Sequence, residues 1–279
     1  MWAYSFMQNA LIAGLIVSTV CGVVSVFVIL RRTGFAAHAL GHMSLTGASG
    51  AVLLGMSSIL GQLLLNGVAA IIMGLMGDKV KKNDLTIGVV LTFVLGLGAY
   101  FLFLFQNNYA GSVMSILFGN IFAVSYSQIY QLSGLAVLVL AVMLVISRPL
   151  IFASIDPSVA ESKNVKVRML SVIFFLVLAV TVSMACQVVG ALLVFVLLII
   201  PGAIGVQWGE SILGITGISI LVANLALVGS LYLSYYFDLP VSFCLTMLLS
   251  VSFFAGLLKS SQLYHKIMGS APTINRSRL

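Results

Sequence analysis

The stretch FMQNALIAGLIVSTVCGVVSVFVILRR, Phe6 to Arg32, decides the fold. From Phe6 to Leu30 it carries no charged side chain, and it closes on two arginines. About 20 apolar residues suffice for a helix to cross a hydrocarbon layer of about 30 Å. The run lacks a basic segment in front of it and outlasts the apolar part of a signal peptide, about 7–15 residues. It therefore reads as an uncleaved first span with its cationic end at the membrane–water boundary.

The rest of the chain has the same character. Hydrophobic residues make up 61% of the 279 and charged ones 7%, where a soluble domain carries about 25% charge. So little polar surface cannot enclose so apolar a core in water, and the solvent must be lipid. The expected fold is all-α, a polytopic transmembrane helical bundle. Apolar runs place about nine spans near residues 6–30, 35–57, 59–77, 85–105, 128–147, 169–187, 189–207, 212–236 and 240–258. The segment Ser112–Val124 is too short to cross unless it is re-entrant or packed beneath other helices.

Cations set the orientation. Arg31 and Arg32 follow the first run, Lys79, Lys81 and Lys82 the third, and Arg148, Lys163, Lys166 and Arg168 the fifth. Lys259, Lys266, Arg276 and Arg278 follow the last. With nine spans all 13 Lys and Arg residues fall on one face, which the positive-inside rule makes cytoplasmic. The N-terminus is then outside and the C-terminus inside, in a prokaryotic cytoplasmic membrane. The net charge of +7 belongs to that face and not to a nucleic-acid surface. Residues 1–260 read as the transmembrane domain and 261–279 as a cytoplasmic tail. Cys21, Cys186 and Cys244 lie singly in apolar segments and read as small core residues.

Ionisable side chains at membrane depth are expensive and mark function. No carboxylate falls inside a span, but two histidines do. In Gly34-Phe35-Ala36-Ala37-His38-Ala39-Leu40-Gly41-His42-Met43-Ser44 they stand four apart, on one face of a helix. At 1.5 Å per residue, His38 lies roughly 9 Å and His42 roughly 15 Å beyond Arg32, the latter near mid-membrane. An imidazole pair there is a ligand set for a divalent transition metal. Small residues on the same helix (Ala37, Gly41, Gly47, Ala51, Gly55) invite close packing, and Gln62, Asn66, Gln187 and Asn224 are the notable amides of the spans.

Three further segments stand out. Asp156-Pro157-Ser158-Val159-Ala160-Glu161 has Asp at the N-cap and Pro at the first helical position, so the longest loop on the cationic side starts a short helix. Pro201-Gly202 is expected to kink or end the seventh span. Asp238-Leu239-Pro240 marks a sharp turn on the opposite side. No phosphate-cradling GxxxxGK[ST] pattern occurs, so energy must come from a partner or a gradient.

These residues together resemble a known family, the membrane permease subunit of metal-type ABC importers for zinc, manganese or iron. Leu30-Arg31-Arg32-Thr33-Gly34-Phe35 resembles its LRRxxF, and His38 to Gly47 its DAxSHAxLPG. Asp84-Leu85-Thr86-Ile87-Gly88 is similar to DxxIGI and Asp156-Pro157 to the start of DPxxA. Val189 through Pro201 resembles VGxLLVxALLxxP, and Ser234 to Pro240 SYxxDLP. The resemblance implies a homodimeric or pseudo-dimeric pore, two cytoplasmic ATP-binding subunits and an extracytoplasmic metal-binding protein. It also implies that Asp156–Glu161 couples the pore to the ATPase and that His38 and His42 meet the metal in transit. His42 matches the family motif, whereas His38 stands where the family has Asp. Imidazole suits zinc and carboxylate suits manganese, so this departure favours zinc as cargo. The alternative from the residues alone is a gradient-driven metal carrier or channel using the same histidines.

Overall fold

A computed structural model of the chain describes residues 4–76, 84–104, 119–163, 165–191 and 193–269. Ten α-helices and one 3-10 turn make up its regular structure, with no strand among the described residues. The helices are α1 (Ser5–Leu30), α2 (Gly34–Leu53), α3 (Ser58–Met76), α4 (Asp84–Leu104) and α5 (Tyr126–Ile155), with the 3-10 turn at Ile121–Ala123. After them come α6 (Pro157–Ser162), α7 (Val167–Val189), α8 (Val194–Trp208), α9 (Ile212–Phe237) and α10 (Val241–Gly269).

Seven of these helices are long and apolar enough to cross a membrane, namely α1, α3, α4, α5, α7, α9 and the apolar part of α10. The two other expected spans behave differently. α2 has the length, but Gly, Ser, Thr and its histidines dilute its apolar character. α8 is only 15 residues long. The expected span at 189–207 is shortened because α7 runs on to Val189, and Gly190 then adopts φ +87°, a backbone region that glycine enters without a Cβ clash. Helix resumes at Val194. α8 does not end at Pro201-Gly202: it passes through both residues to Trp208. A Cβ on Gly202 would stand 2.7 Å from the carbonyl carbon of Ser25, so this glycine permits close approach of α8 to α1.

α1 and α7 form the interior, with 67% and 72% of their apolar windows buried, and the other spanning helices surround them with lipid-ready outer faces. α2 packs on α3, α4 and α7, while α8 and α9 pack on α1. Buried polar pairs fix these contacts. The Asn224 amide donates to Thr19 Oγ1 at 3.1 Å and joins α9 to α1. Ser25 and Ser219 share a hydrogen bond of 3.0 Å across the same seam.

Short connections make neighbouring helices alternate in direction, so Arg31, Arg32, α6 and the start of α7 gather at one end of the bundle. Arg168 Nε donates to the Leu75 carbonyl at 3.1 Å, holding the end of α3 to the start of α7 there. At the other end Asn9 Nδ2 donates to the Val124 carbonyl at 3.2 Å, clamping the start of α1 under the 3-10 turn. Asp238, at φ +50°, ends α9 and turns the chain into α10, as Asp-Leu-Pro predicts. α10 is continuous through residue 260, where the sequence places the start of the tail. Most of Ser112–Val124 lies outside the described residues.

Candidate metal-transit site

The histidine helix is positioned from its first turn. Arg32 adopts φ +53° and reverses the chain between α1 and α2. The two arginines then part. Arg32 is exposed, whereas Arg31 is buried, donates to Ser171 Oγ at 2.6 Å and lies 5.1 Å from the ring centre of Phe174. A desolvated guanidinium over an aromatic face is favourable, so the arginine read as a topology signal also ties α1 to α7.

Along α2 the contacts succeed one another by depth. Cys186 Sγ donates to the Gly41 carbonyl at 3.8 Å. Asn66 Nδ2 donates to Ser44 Oγ at 2.7 Å and to Ser183 Oγ at 3.1 Å, knitting α2, α3 and α7. Thr46 Oγ1 donates to the Val94 carbonyl at 2.8 Å and fastens α2 to α4. A Cβ on Gly47 would stand 2.6 Å from the Gly61 carbonyl oxygen, so the α2 and α3 backbones meet there. Every face of α2 is covered but one. Between Gly34 and Ser49, only Gly34, Phe35, His38 and His42 escape full burial, and these share one strip.

On that strip the imidazole centres of His38 and His42 stand 4.5 Å apart, edge to face. The ring of Phe195, from the first turn of α8, packs edge to face on His38 at 4.8 Å. Two imidazoles sharing one ion, with metal–nitrogen bonds of about 2.0–2.1 Å, need ring centres about 5 Å apart. Among the described residues no cluster of three or more His, Cys, Asp or Glu could hold a metal, so no third such side chain joins the pair.

The Asp156–Glu161 segment forms a helix where the sequence places it. Asp156 caps α6, its Oδ1 accepting from Ser158 N at 3.0 Å and Val159 N at 3.1 Å, and from Ser158 Oγ at 2.6 Å. The Ser158 hydroxyl first, then the Val159 N–H, hold this carboxyl below its usual range. Pro157 takes the first helical turn. Ala160 is buried against the bundle while Ser158, Val159 and Glu161 face outward, so α6 is anchored on one side and presented on the other. Pro201 and Gly202, also singled out by sequence, are buried in α8 and face α1 at Gly202. Sequence reasoning missed Phe195 beside His38, because nothing in a one-dimensional pattern reports that α8 starts next to α2.

A family model described as the ABC 3 transport family matches residues 3–260. The chain belongs to that family. It is a membrane permease subunit of a metal-type ABC importer, a transport component whose ATP-binding subunit is a separate chain. The permease is 29% identical over 251 residues to the manganese import system permease protein ScaB of Streptococcus parasanguinis, covering 90% of this chain and 89% of that one. It is 27% identical over 252 residues to the manganese transport system membrane protein MntC of Halalkalibacterium halodurans, with 90% and 86% covered. Among solved structures it is similar to PsaBC from Streptococcus pneumoniae in complex with Fab, at 25% identity and a TM-score of 0.81, with 91% of each chain covered. The curated relatives named here are manganese permeases, so the lean towards zinc drawn from His38 finds no support in them.

Proposed function

We propose that two copies of this permease enclose a pore along the α2 strip, through which a divalent transition metal passes inward. The observation that carries this is the edge-to-face imidazole pair on the one strip of α2 that the chain leaves uncovered. Facing pairs from two copies would supply four imidazoles, a full tetrahedral set that one copy lacks. A transit site must release its ion as well as capture it. The arginine end is cytoplasmic by the positive-inside rule, and there α6 meets the ATP-binding subunit. The opposite end receives metal from an extracytoplasmic binding protein.

Cargo identity turns on two opposed indications. The relatives are named for manganese, whereas an imidazole pair favours zinc. We favour a site that admits both, with zinc held more tightly. The test is metal uptake into proteoliposomes holding the permease with its ATP-binding subunit and binding protein. Wild type should take up metal only with ATP, and the double variant His38→Ala, His42→Ala should lose uptake while the complex still assembles. Uptake at the wild-type rate in that variant would remove the histidines from the path. Proton-coupled flux with the permease alone would replace the ATP-driven mechanism by a carrier.

A further inference from the structure

A second polar feature lies apart from the histidine strip. Gln62 and Asn66 stand one turn apart on α3, both almost wholly buried at 2% and 0% exposure. The amide orientation of Asn66 is settled by its neighbours. Ser44 Oγ donates to the Leu40 carbonyl at 3.0 Å and Ser183 Oγ to the Ala179 carbonyl at 2.8 Å, so both hydroxyls have spent their protons. They can only accept from Asn66, and its NH2 group must face them. Its Oδ1 therefore points away, with no donor in reach among the described residues, and Gln62 Oε1 is in the same position. Two buried acceptors on one helix face call for a donor that the described residues do not supply.

Gln62 lines a cavity of about 240 Å³ at the end of the bundle opposite Arg31. Ser58, Asn120, Gln128, Cys186 and Gln187 line it with Gln62. Four neutral amides and one hydroxyl share this wall with Ala123, Val124, Leu132 and Val188, no carboxylate contributes to it, and Cys186 Sγ donates to the Gly41 carbonyl. A bare dication would find no compensating charge there. Water would: the volume has room for several molecules at about 30 Å³ each, and the amides of Gln62, Asn120, Gln128 and Gln187 offer it partners.

We propose that this cavity is a water-filled pocket within each protomer, open to the external face, whose water donates to Gln62 Oε1. It is distinct from the pore at the histidine strip, and only its assignment to the external side rests on the orientation proposed above. The cavity lies between α3, the 3-10 turn, α5 and the end of α7, and water there can bridge their polar groups and exchange partners with little loss of energy.

The test reads water access at Cys186. In the intact complex, with Cys21→Ala and Cys244→Ala in the permease, a small membrane-impermeant cationic methanethiosulfonate is applied to right-side-out and to inside-out vesicles. Mass spectrometry then quantifies the adduct on the Cys186 peptide. The pocket predicts modification from the right-side-out face, and Gln62→Leu should slow it about tenfold, the equivalent of one hydrogen bond. Modification from the inside-out face alone would keep the pocket and reverse the orientation. If Cys186 reacts only with an uncharged, lipid-soluble maleimide, or with neither reagent, the cavity is dry and the proposal falls. An unchanged rate in Gln62→Leu would remove the amide from the water site.

Discussion

His38 and His42 share a strip but not an environment. His38 is held between the ring of Phe195 at 4.8 Å and that of His42 at 4.5 Å, so its orientation is set by aromatic edges. A carboxylate at position 38 would bring a hard oxygen and a negative charge to the same place. His38→Asp should therefore raise manganese uptake relative to zinc by about tenfold, a difference of about 1.4 kcal/mol in the transit site. Paired radiotracer uptake from an equimolar mixture checks it, and an unchanged ratio would mean that position 38 does not touch the cargo. Asp156 caps α6 at the arginine end of the bundle. Its carboxyl is held below the ordinary range by the Ser158 hydroxyl and the Val159 N–H. A depressed folded pKa means the cap's contribution is fully present above the unfolded value of about 3.9 and is lost as pH falls through the lower folded value. ATP-driven transport should accordingly show no step from Asp156 above about pH 5. Asp156→Ala should lower coupled transport several-fold by fraying α6, while Asp156→Asn, which still caps, should retain most of it. Equal loss in both variants would show that the charge and not the cap is what matters.

Among elements, α2 and α3 approach more closely than any side chain would allow. A Cβ on Gly61 would collide with the Gly47 carbonyl and with the Ala51 side chain. Gly61→Val should separate the two helices and cost about 1–3 kcal/mol, the usual range for overpacking. The readout is a lowered midpoint of thermal inactivation in detergent, whereas Gly67→Val should leave it unchanged, because a Cβ at Gly67 meets open space. A variant at Gly61 as stable as wild type would mean that the helices can repack. The small-residue pattern that announces this contact is visible in the sequence, as are the lipid-facing helices and the capped α6, because each depends on neighbours within a few residues. Other features depend on partners far along the chain and were not legible. Pro201 reads as a kink or helix end, yet α8 runs on through it, and a break between helices falls at Gly190. Arg31 reads as an exposed topology cation, yet Ser171, 140 positions away, draws it inside. The histidine pair itself was legible from its spacing; that Phe195 completes its wall was not.

At the scale of the whole molecule, a single copy leaves two kinds of surface. α3, α4 and α5 turn broad apolar faces outward, suited to lipid. The strip of Phe35, His38 and His42, with Phe195 exposed beside it, is narrower, mixed in character and lies at the junction of α2 and α8. Lipid chains would strand two imidazoles there without partners, whereas a second copy would seal them into a shared pore. A cysteine at position 195 would then face its counterpart across the two-fold axis, since a symmetric interface sets like residues near one another close to the axis. In a permease with Cys21, Cys186 and Cys244 replaced by alanine, Phe195→Cys should form a disulfide between copies under mild oxidant. On a non-reducing gel the chain should move at twice its mass. Val89→Cys, on the exposed face of α4, serves as the lipid-facing control and should not cross-link. Cross-linking at Val89 with none at Phe195 would place the dimer contact on α4 and leave the histidines outside the pore. Cross-linking at Phe195 that a divalent metal slows, and that His42→Ala releases from metal control, would put the cargo and the interface at the same place.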